Sequence, residues 1–106
     1  MNILLYSKER NSDNWKYIEI CINELHNKKI KICFLKDFYQ KINNQINPDI
    51  KCKVISKLNN NFEIDFLISF GGDGTMLSAA KLIKGYNIPM IGVNTGRLGF
   101  LANVAK

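Results

Sequence analysis

The fold of this chain is decided by the stretch Phe66-Leu67-Ile68-Ser69-Phe70-Gly71-Gly72-Asp73-Gly74-Thr75. A short apolar run that ends at glycines predicts a buried strand. Residues 75–84 are rich in helix formers and are followed by Gly85, so they predict a helix. The three glycines would then lie in a strand-to-helix turn, where the lack of a Cβ atom lets backbone N–H groups approach a ligand closely. The N-terminus of the following helix suits phosphate.

Asp73 is the unusual member of this turn. A carboxylate repels anions, so either it caps the helix, for which Asp is a preferred residue, or it acts in chemistry or metal binding. Two commoner phosphate motifs are excluded. A Walker A loop needs Gly-Lys-Ser/Thr, but Gly74 is followed by Thr75 and Met76. The dinucleotide fingerprint needs a third glycine where this chain has Leu77.

A second glycine cluster follows a second short apolar run. Pro89-Met90-Ile91-Gly92-Val93-Asn94 predicts another buried strand, and residues 95–101 contain two more glycines. The order strand, glycine loop, helix, strand, glycine loop is typical of a parallel α/β unit. In such sheets both loops leave the carboxyl ends of their strands, which is the side where ligands bind.

Together the two glycine segments resemble those of the NAD kinase family. The motif Gly71-Gly72-Asp73-Gly74-Thr75 alone is shared with diacylglycerol and sphingosine lipid kinases, and phosphofructokinases carry a close relative. The second segment favours NAD kinase: Gly92-Val93-Asn94-Thr95-Gly96-Arg97-Leu98-Gly99-Phe100-Leu101. The resemblance implies an α/β fold, a parallel sheet with helices on both faces, as in the N-terminal domains of NAD kinase and phosphofructokinase.

The resemblance also implies an activity and a set of site residues. The family transfers a phosphoryl group from ATP, or another donor, to the 2′-hydroxyl of the adenosine ribose of NAD, forming NADP with Mg²⁺ or another divalent cation. The residue matching Asp73 is the general base of this reaction. The implied nucleotide-binding residues are Gly71, Gly72, Asp73, Gly74, Thr75, Leu77, Phe100 and Leu101, of which Leu77, Phe100 and Leu101 would line the NAD pocket.

NAD kinases continue into a second, β-rich domain, and an Asn-Glu or Asn-Asp pair before it helps to hold NAD. Residues 1–106 end before either feature, so we expect them to form the N-terminal nucleotide-binding domain and not to phosphorylate NAD alone. The family further implies a homo-oligomer, a dimer or tetramer, at full length. Two alternatives stay open: a non-catalytic nucleotide-binding fragment of a kinase and a lipid (diacylglycerol-type) kinase domain.

Composition limits the other functions. With 106 residues, 46% of them apolar, the chain forms one domain with a core. No apolar run reaches the ~20 residues of a membrane span, and the N-terminus reads as a strand and not as a signal peptide, so we expect a cytoplasmic protein. Cys21, Cys33 and Cys52 lack the spacing of a metal or redox site. The net charge of +6 comes from scattered lysines, which does not favour nucleic acid binding.

The upstream half predicts four further elements. Residues 2–7 and 30–35 form apolar runs typical of parallel strands buried on both faces. Between them, one apolar stripe at helical spacing predicts a helix, with members Trp15, Ile18, Ile22 and Leu25. Residues 37–48 are ambiguous, because helical spacing is broken by asparagines and Pro48. Residues 51–55 predict a short edge strand with alternate lysines.

Overall fold

A six-stranded sheet organises the chain in our computed structural model, which describes residues 1–8, 12–59, 62–95 and 100–104. In chain order its elements are β1 (Asn2–Tyr6), α1 (Ser12–Asn27), β2 (Lys31–Leu35), α2 (Lys36–Ile42), a 3₁₀ turn (Asn43–Gln45), β3 (Cys52–Ile55), β4 (Phe66–Gly71), α3 (Asp73–Leu82), β5 (Met90–Asn94) and β6 (Phe100–Val104). The strands lie in the order β3-β2-β1-β4-β5-β6.

The first five strands are parallel, and β6 pairs antiparallel with β5. Strand β1 shows why the sheet is buried on both faces. Its residues Ile3, Leu4 and Leu5 are at most 6% exposed. Because successive side chains of a strand point to opposite faces, Ile3 and Leu5 enter one hydrophobic cluster and Leu4 enters the other. Such a run needs a cover of helices on each side.

Helices provide that cover on both faces, as the sequence predicted. The stripe of α1 places Ile18, Ile22 and Leu25 in the first cluster, together with Phe38 of α2. Helix α3 places Ala79 in the second cluster, on the opposite face of the sheet. The predicted fold class is therefore confirmed.

The direction in which strands are added reverses between β1 and β4. From β1 the chain builds outward through β2 to β3, then returns to place β4 on the other side of β1 and β5 beyond it. This reversal is a topological switch point, and in open α/β sheets ligands bind in the crevice outside the carboxyl ends of the two strands that flank it. Those ends are Tyr6 of β1 and Gly71 of β4.

Two local predictions are resolved by the fold, and one strand was not foreseen. Residues 52–55 form the edge strand β3, as expected. The ambiguous region 37–48 contains α2 and the 3₁₀ turn, so its helical spacing was meaningful up to Ile42. Strand β6 was not predicted, since residues 95–101 were assigned to a glycine loop. Residues 96–99 of that loop lie outside the described part of the chain.

Candidate functional site

Gly71 fixes the turn between β4 and α3. Its φ is +152°, a conformation that L side chains rarely adopt, and a Cβ atom built on it would lie 2.7 Å from the Cβ atom of Thr75. Thr75 is only 7% exposed, so its side chain is held in place by its surroundings. Gly71 is therefore required by the fold itself, because the chain passes directly over Thr75 as it leaves the sheet. A ligand would reach Thr75 through its backbone N–H group.

Neither a contact nor a positive φ requires glycine at Gly72 or Gly74, although glycine is also a favoured N-cap residue. Both are exposed, and a Cβ atom built on either would meet no atom of the described residues within 4 Å. Gly72 has a φ of −99°, and Gly74 is the second residue of α3. The open space beside them adjoins the start of α3, where the first N–H groups of a helix lack intrahelical partners. This is the space that a phosphate bound to those N–H groups would occupy.

The structure contradicts the capping alternative for Asp73. The N-cap of α3 is Gly72, whose carbonyl accepts the hydrogen bond that Met76 N donates over 3.1 Å. Asp73 is the first helical residue, and its carboxylate makes no hydrogen bond or ion pair within the described ranges. The side chain is exposed. Its charge also suits the dipole of α3, because it lies in the first turn of the helix.

The pairing of β4, β5 and β6 aligns Gly71 and Phe100, two residues of the predicted site, across three adjacent strands. Gly71 pairs with Asn94 of β5, and Asn94 pairs with Phe100 of β6. Adjacent strands are about 4.8 Å apart, so the backbone of Phe100 lies about 10 Å from that of Gly71. Leu101 follows in β6, where it pairs with Val93. Both residues of β6 thus belong to the strand edge at which the glycine turn leaves the sheet.

Leu77 lies on α3, four residues after Asp73. It is 65% exposed, an unusual position for a large apolar side chain. Residues four apart on a helix share one face, so Leu77 and Asp73 are neighbours on the surface of α3. An exposed leucine is common on its own, but this one adjoins the open space beside the glycine turn.

A buried polar network joins the carboxyl ends of three strands, and the sequence analysis missed it. Thr95 Oγ1 donates a hydrogen bond to Asn14 Oδ1, and Asn14 Nδ2 donates to Ser7 Oγ over 3.2 Å. Ser7 Oγ then donates to the carbonyl of Phe70 over 2.8 Å. Ser7 and Asn14 are 4% and 5% exposed. The network thus spans the switch point, from the end of β5 through α1 to the ends of β1 and β4.

One signal could have revealed this network. Asn14 lies four residues before Ile18 and so falls on the apolar stripe of α1. A polar residue on the core face of a helix needs a buried partner. The partner could not be identified from spacing alone, because Thr95 is 81 positions away in the chain.

The three cysteines pack in or against the two hydrophobic clusters, away from the glycine turn. Burial raises the pKa of the Cys21 thiol to about 11, and burial is also the main cause that raises the pKa of Cys33 to about 11. Burial likewise raises the pKa of Cys52.

Among the described residues, no cluster of three or more His, Cys, Asp or Glu side chains could hold a metal. Within the same ranges no helix is long and apolar enough to cross a membrane.

The fold and the turn define a class. A doubly wound sheet with a glycine turn, an uncommitted carboxylate and a helix N-terminus at its switch point has the architecture of nucleotide-binding α/β domains. Residues 3–106 match the family model described as the ATP-NAD kinase N-terminal domain, so the chain belongs to the NAD kinase family. The resemblance read from the two glycine segments is thereby confirmed.

Individual relatives agree with this family. The NAD kinase of Christiangramia forsetii is 37% identical over 109 residues, which cover 100% of this chain and 36% of the relative. The NAD kinase of Bacteroides fragilis is 41% identical over 75 residues, covering 71% of this chain and 26% of the relative. The bifunctional NADP phosphatase/NAD kinase of Methanococcus maripaludis is 39% identical over 97 residues, covering 89% of this chain and 16% of the relative.

A solved structure shares the fold. The yeast NADH kinase complexed with NADH aligns with a TM-score of 0.68 at 16% identity, covering 88% of this chain and 29% of that chain. The chain therefore spans about a third or less of the relatives that it matches. The lipid kinase and non-catalytic alternatives are not favoured by these similarities.

Proposed function

We propose that residues 1–106 form the N-terminal domain of an NAD kinase. The enzyme transfers the γ-phosphoryl group of ATP, or of another phosphoryl donor, to the 2′-hydroxyl of the adenosine ribose of NAD. The proposal is supported by membership of the family and by the shape of the glycine turn. The geometry of the turn between β4 and α3 gives independent support for a nucleotide site in this chain.

The decisive observation is that Gly74, the second residue of α3, is not required to be glycine by its contacts. A Cβ atom at this position would meet no atom of the described residues within 4 Å, so packing leaves it free to change. At the second position of a helix, Ala is preferred over Gly because glycine loses more backbone entropy on folding. A glycine at this position, beside a helix N-terminus, is explained if a phosphate group lies against the backbone there.

Asp73 would take the proton from the attacking ribose hydroxyl. Its carboxylate is exposed, lies between the two open glycines and makes no bond within the described part of the chain. Phosphoryl transfer needs the attacking hydroxyl to be positioned and oriented more than it needs covalent help. A carboxylate held at the first turn of α3 can accept the hydroxyl proton while the N–H groups of the same turn hold the phosphate.

A divalent cation such as Mg²⁺ would neutralise charge on the phosphates of the donor. The residues present fit an ion that arrives with those phosphates, since Mg²⁺ is usually bound by one or two carboxylates, substrate phosphates and water. Asp73 is the carboxylate that could contribute. The described residues offer no cluster from which a complete protein cage could be built.

Leu77, Phe100 and Leu101 would line the NAD pocket. Leu77 shares a helix face with Asp73, and the backbone of Phe100 lies in the same row as Gly71. In the full-length protein that carries this sequence, Phe100→Ala should raise the KM for NAD and leave the KM for ATP unchanged. A large fall in melting temperature with an unchanged KM for NAD would instead assign Phe100 to the core.

The remaining parts of the enzyme are proposals of the same kind. A second, β-rich domain would complete the NAD site, in agreement with the share of each relative that this chain covers. We further propose a homo-oligomer, a dimer or tetramer, that binds no nucleic acid. A cytoplasmic location is supported by three cysteines that form no disulfide.

The test is NADP formation by the full-length protein with NAD, ATP and Mg²⁺, compared with the same assay of residues 1–106 alone. Asp73→Asn should lower turnover by ~10²–10⁴, the usual contribution of a general base. Asp49→Asn, an equal change at an exposed loop, should not alter the turnover.

Normal turnover of Asp73→Asn would remove Asp73 from the chemistry. A wild-type protein that forms no NADP with any donor would refute the enzymatic function, and steady turnover by residues 1–106 would refute the need for a second domain.

A further inference from the structure

A cleft of ≈280 Å³ opens at the carboxyl ends of β1, β2 and β3, beside the switch point. Its apolar walls come from Tyr6, Leu35 and Phe38. Tyr6 and Leu35 are the last residues of their strands, and Phe38 is a buried residue of α2. The volume is close to the lower limit of about 300 Å³ for small-molecule pockets. A cleft of this size with three apolar residues in its walls has room for a planar base together with a sugar.

The rim of the cleft is polar and carries a positive balance. Lys8, Asp37 and Lys41 contribute one negative and two positive side chains, all exposed. Ser56, directly after β3, closes the far side. A carboxylate such as that of Asp37 accepts hydrogen bonds from sugar hydroxyls or an exocyclic amine. Lysine ammonium groups attract phosphate. The lining therefore matches the parts of a nucleotide.

Ser7 connects this cleft to the glycine turn. It lines the cleft, and its Oγ atom donates a hydrogen bond to the carbonyl of Phe70 over 2.8 Å. Phe70 immediately precedes Gly71, so the cleft adjoins the proposed phosphate site. A cleft of similar volume, ≈260 Å³, includes Glu63 and Tyr86 in its lining and lies before the amino ends of β4 and β5, at the opposite edge.

The two sides of the glycine turn differ in what they can hold. On the β5 side, the row from Gly71 to Phe100 leads to the residues proposed to line the NAD pocket. On the β1 side, the turn meets the cleft through Ser7. A donor and an acceptor that react in line approach the transferred group from opposite sides. If NAD occupies the β5 side, the rest of the donor extends toward β1 and β2.

We propose that this cleft binds the nucleoside part of the phosphoryl donor, with its base against Tyr6, Leu35 and Phe38. Lys8, next to Ser7, faces the phosphates. This inference rests on the proposed NAD kinase function and makes it more specific. It predicts a nucleoside triphosphate as the donor in preference to inorganic polyphosphate, because a polyphosphate has no group that would use the apolar walls.

Filling the cleft tests the inference. In the full-length protein that carries this sequence, Ser56→Trp adds an indole at an exposed position that lines the cleft. The matched control is Asn27→Trp, at the exposed end of α1 on the opposite edge of the sheet. Calorimetric titrations without NAD measure the affinity for ATP and for inorganic tripolyphosphate. A second variant, Asp37→Ala, removes a rim carboxylate without blocking the cleft.

We expect Ser56→Trp to weaken ATP binding about tenfold, equivalent to about 1.4 kcal/mol. Its tripolyphosphate affinity and its KM for NAD should stay unchanged, and Asn27→Trp should resemble the wild type throughout. Asp37→Ala should weaken ATP binding in the same selective way, though less.

Unchanged ATP affinity in Ser56→Trp would overturn the inference, as would an equal loss for tripolyphosphate or a wild type that does not bind ATP. A wild type that binds ATP but forms no NADP would refute the kinase function, while the titrations would still decide whether the cleft binds the nucleoside.

Discussion

The hydroxyl of Thr95 donates a hydrogen bond to the side-chain carbonyl of Asn14, although 81 positions separate them in the chain. Asn14 in turn bonds to Ser7, which bonds to the carbonyl of Phe70. Each group in this series donates to the next, so the segments after β1 and β5 and the end of β4 are held in one mutual arrangement. Those segments border the switch point, where ligand sites of open α/β sheets are built.

Removing the Thr95 hydroxyl should destabilise the protein more than shortening the side chain. In Thr95→Val the hydrogen bond to the side-chain carbonyl of Asn14 is lost, which costs about 0.5–1.5 kcal/mol for a typical intramolecular hydrogen bond. Thr95→Ser keeps the hydroxyl and should cost clearly less. Urea unfolding of the purified variants gives both values. Equal losses for the two variants would show that the methyl group, not the hydrogen bond, matters at Thr95.

Alanine at Gly71 and at Gly74 should have opposite effects on stability. Gly71→Ala forces a side chain into a φ of +152° and against Thr75, so we expect a loss of at least about 1–3 kcal/mol. Gly74→Ala adds a methyl group to open space in a helix, which should leave stability unchanged or raise it by up to about 1 kcal/mol. Thermal unfolding measures both effects.

The same Gly74→Ala variant should bind ATP more weakly than the wild type. A methyl group in the open space beside α3 would obstruct a phosphate that approaches the backbone N–H groups. Calorimetric titration with ATP checks this expectation in the full-length protein. A stable Gly74→Ala variant with unchanged ATP affinity would remove the main support for a phosphate site at this turn.

Local patterns were sufficient to predict much of the fold. The apolar run before Gly71 predicted β4, the spacing of Ile18, Ile22 and Leu25 predicted α1, and alternate lysines predicted the edge strand β3. Strand β6 was missed because its pairing depends on where the chain returns to β5, which no local period encodes. The buried position of Thr75 was missed for a similar reason, since it follows from how the chain turns over it at Gly71.

The candidate site was predicted in part. Its position at the strand ends followed from the two glycine segments, because parallel strands end on one edge. The different roles of Gly71 and Gly72 could not be read from the sequence, in which both are adjacent glycines. The φ of +152° and the contact with Thr75 distinguish Gly71, which the fold requires, from Gly72, whose side is open in the described structure. The network through Asn14 could not be predicted, because it depends on how α1, the end of β4 and the segments after β1 and β5 come together.

Two buried serines should respond oppositely to alanine. Ser69 is fully buried in β4, and its Oγ atom has no hydrogen-bond partner in the described part of the chain. Ser69→Ala removes an unpaired hydroxyl, so stability should stay constant or rise by about 1 kcal/mol. Ser7→Ala removes a hydroxyl that donates to Phe70 and accepts from Asn14, so we expect a clear loss. Similar losses for both would mean that Ser69 has a partner in solution.

The buried thiols should make the protein less stable in alkaline solution. The pKa values of Cys21 and Cys33 are raised from 9.0 to about 11, with burial as the first cause, because the thiolate is disfavoured in the interior. Between these limits the folded state binds more protons than the unfolded state, so the free energy of unfolding falls as pH rises. The stability contributed by the neutral thiols is complete below pH 9 and is lost as pH approaches about 11.

Melting temperatures measured from pH 9 to pH 11 test this expectation. For each protein the change is taken relative to its own melting temperature at neutral pH. The decline should be steeper for the wild type than for the double variant Cys21→Ala with Cys33→Ala. All other side chains are the same in both proteins, so their effect cancels in the comparison. Parallel curves would show that these thiols ionise as readily in the folded protein as in the unfolded chain.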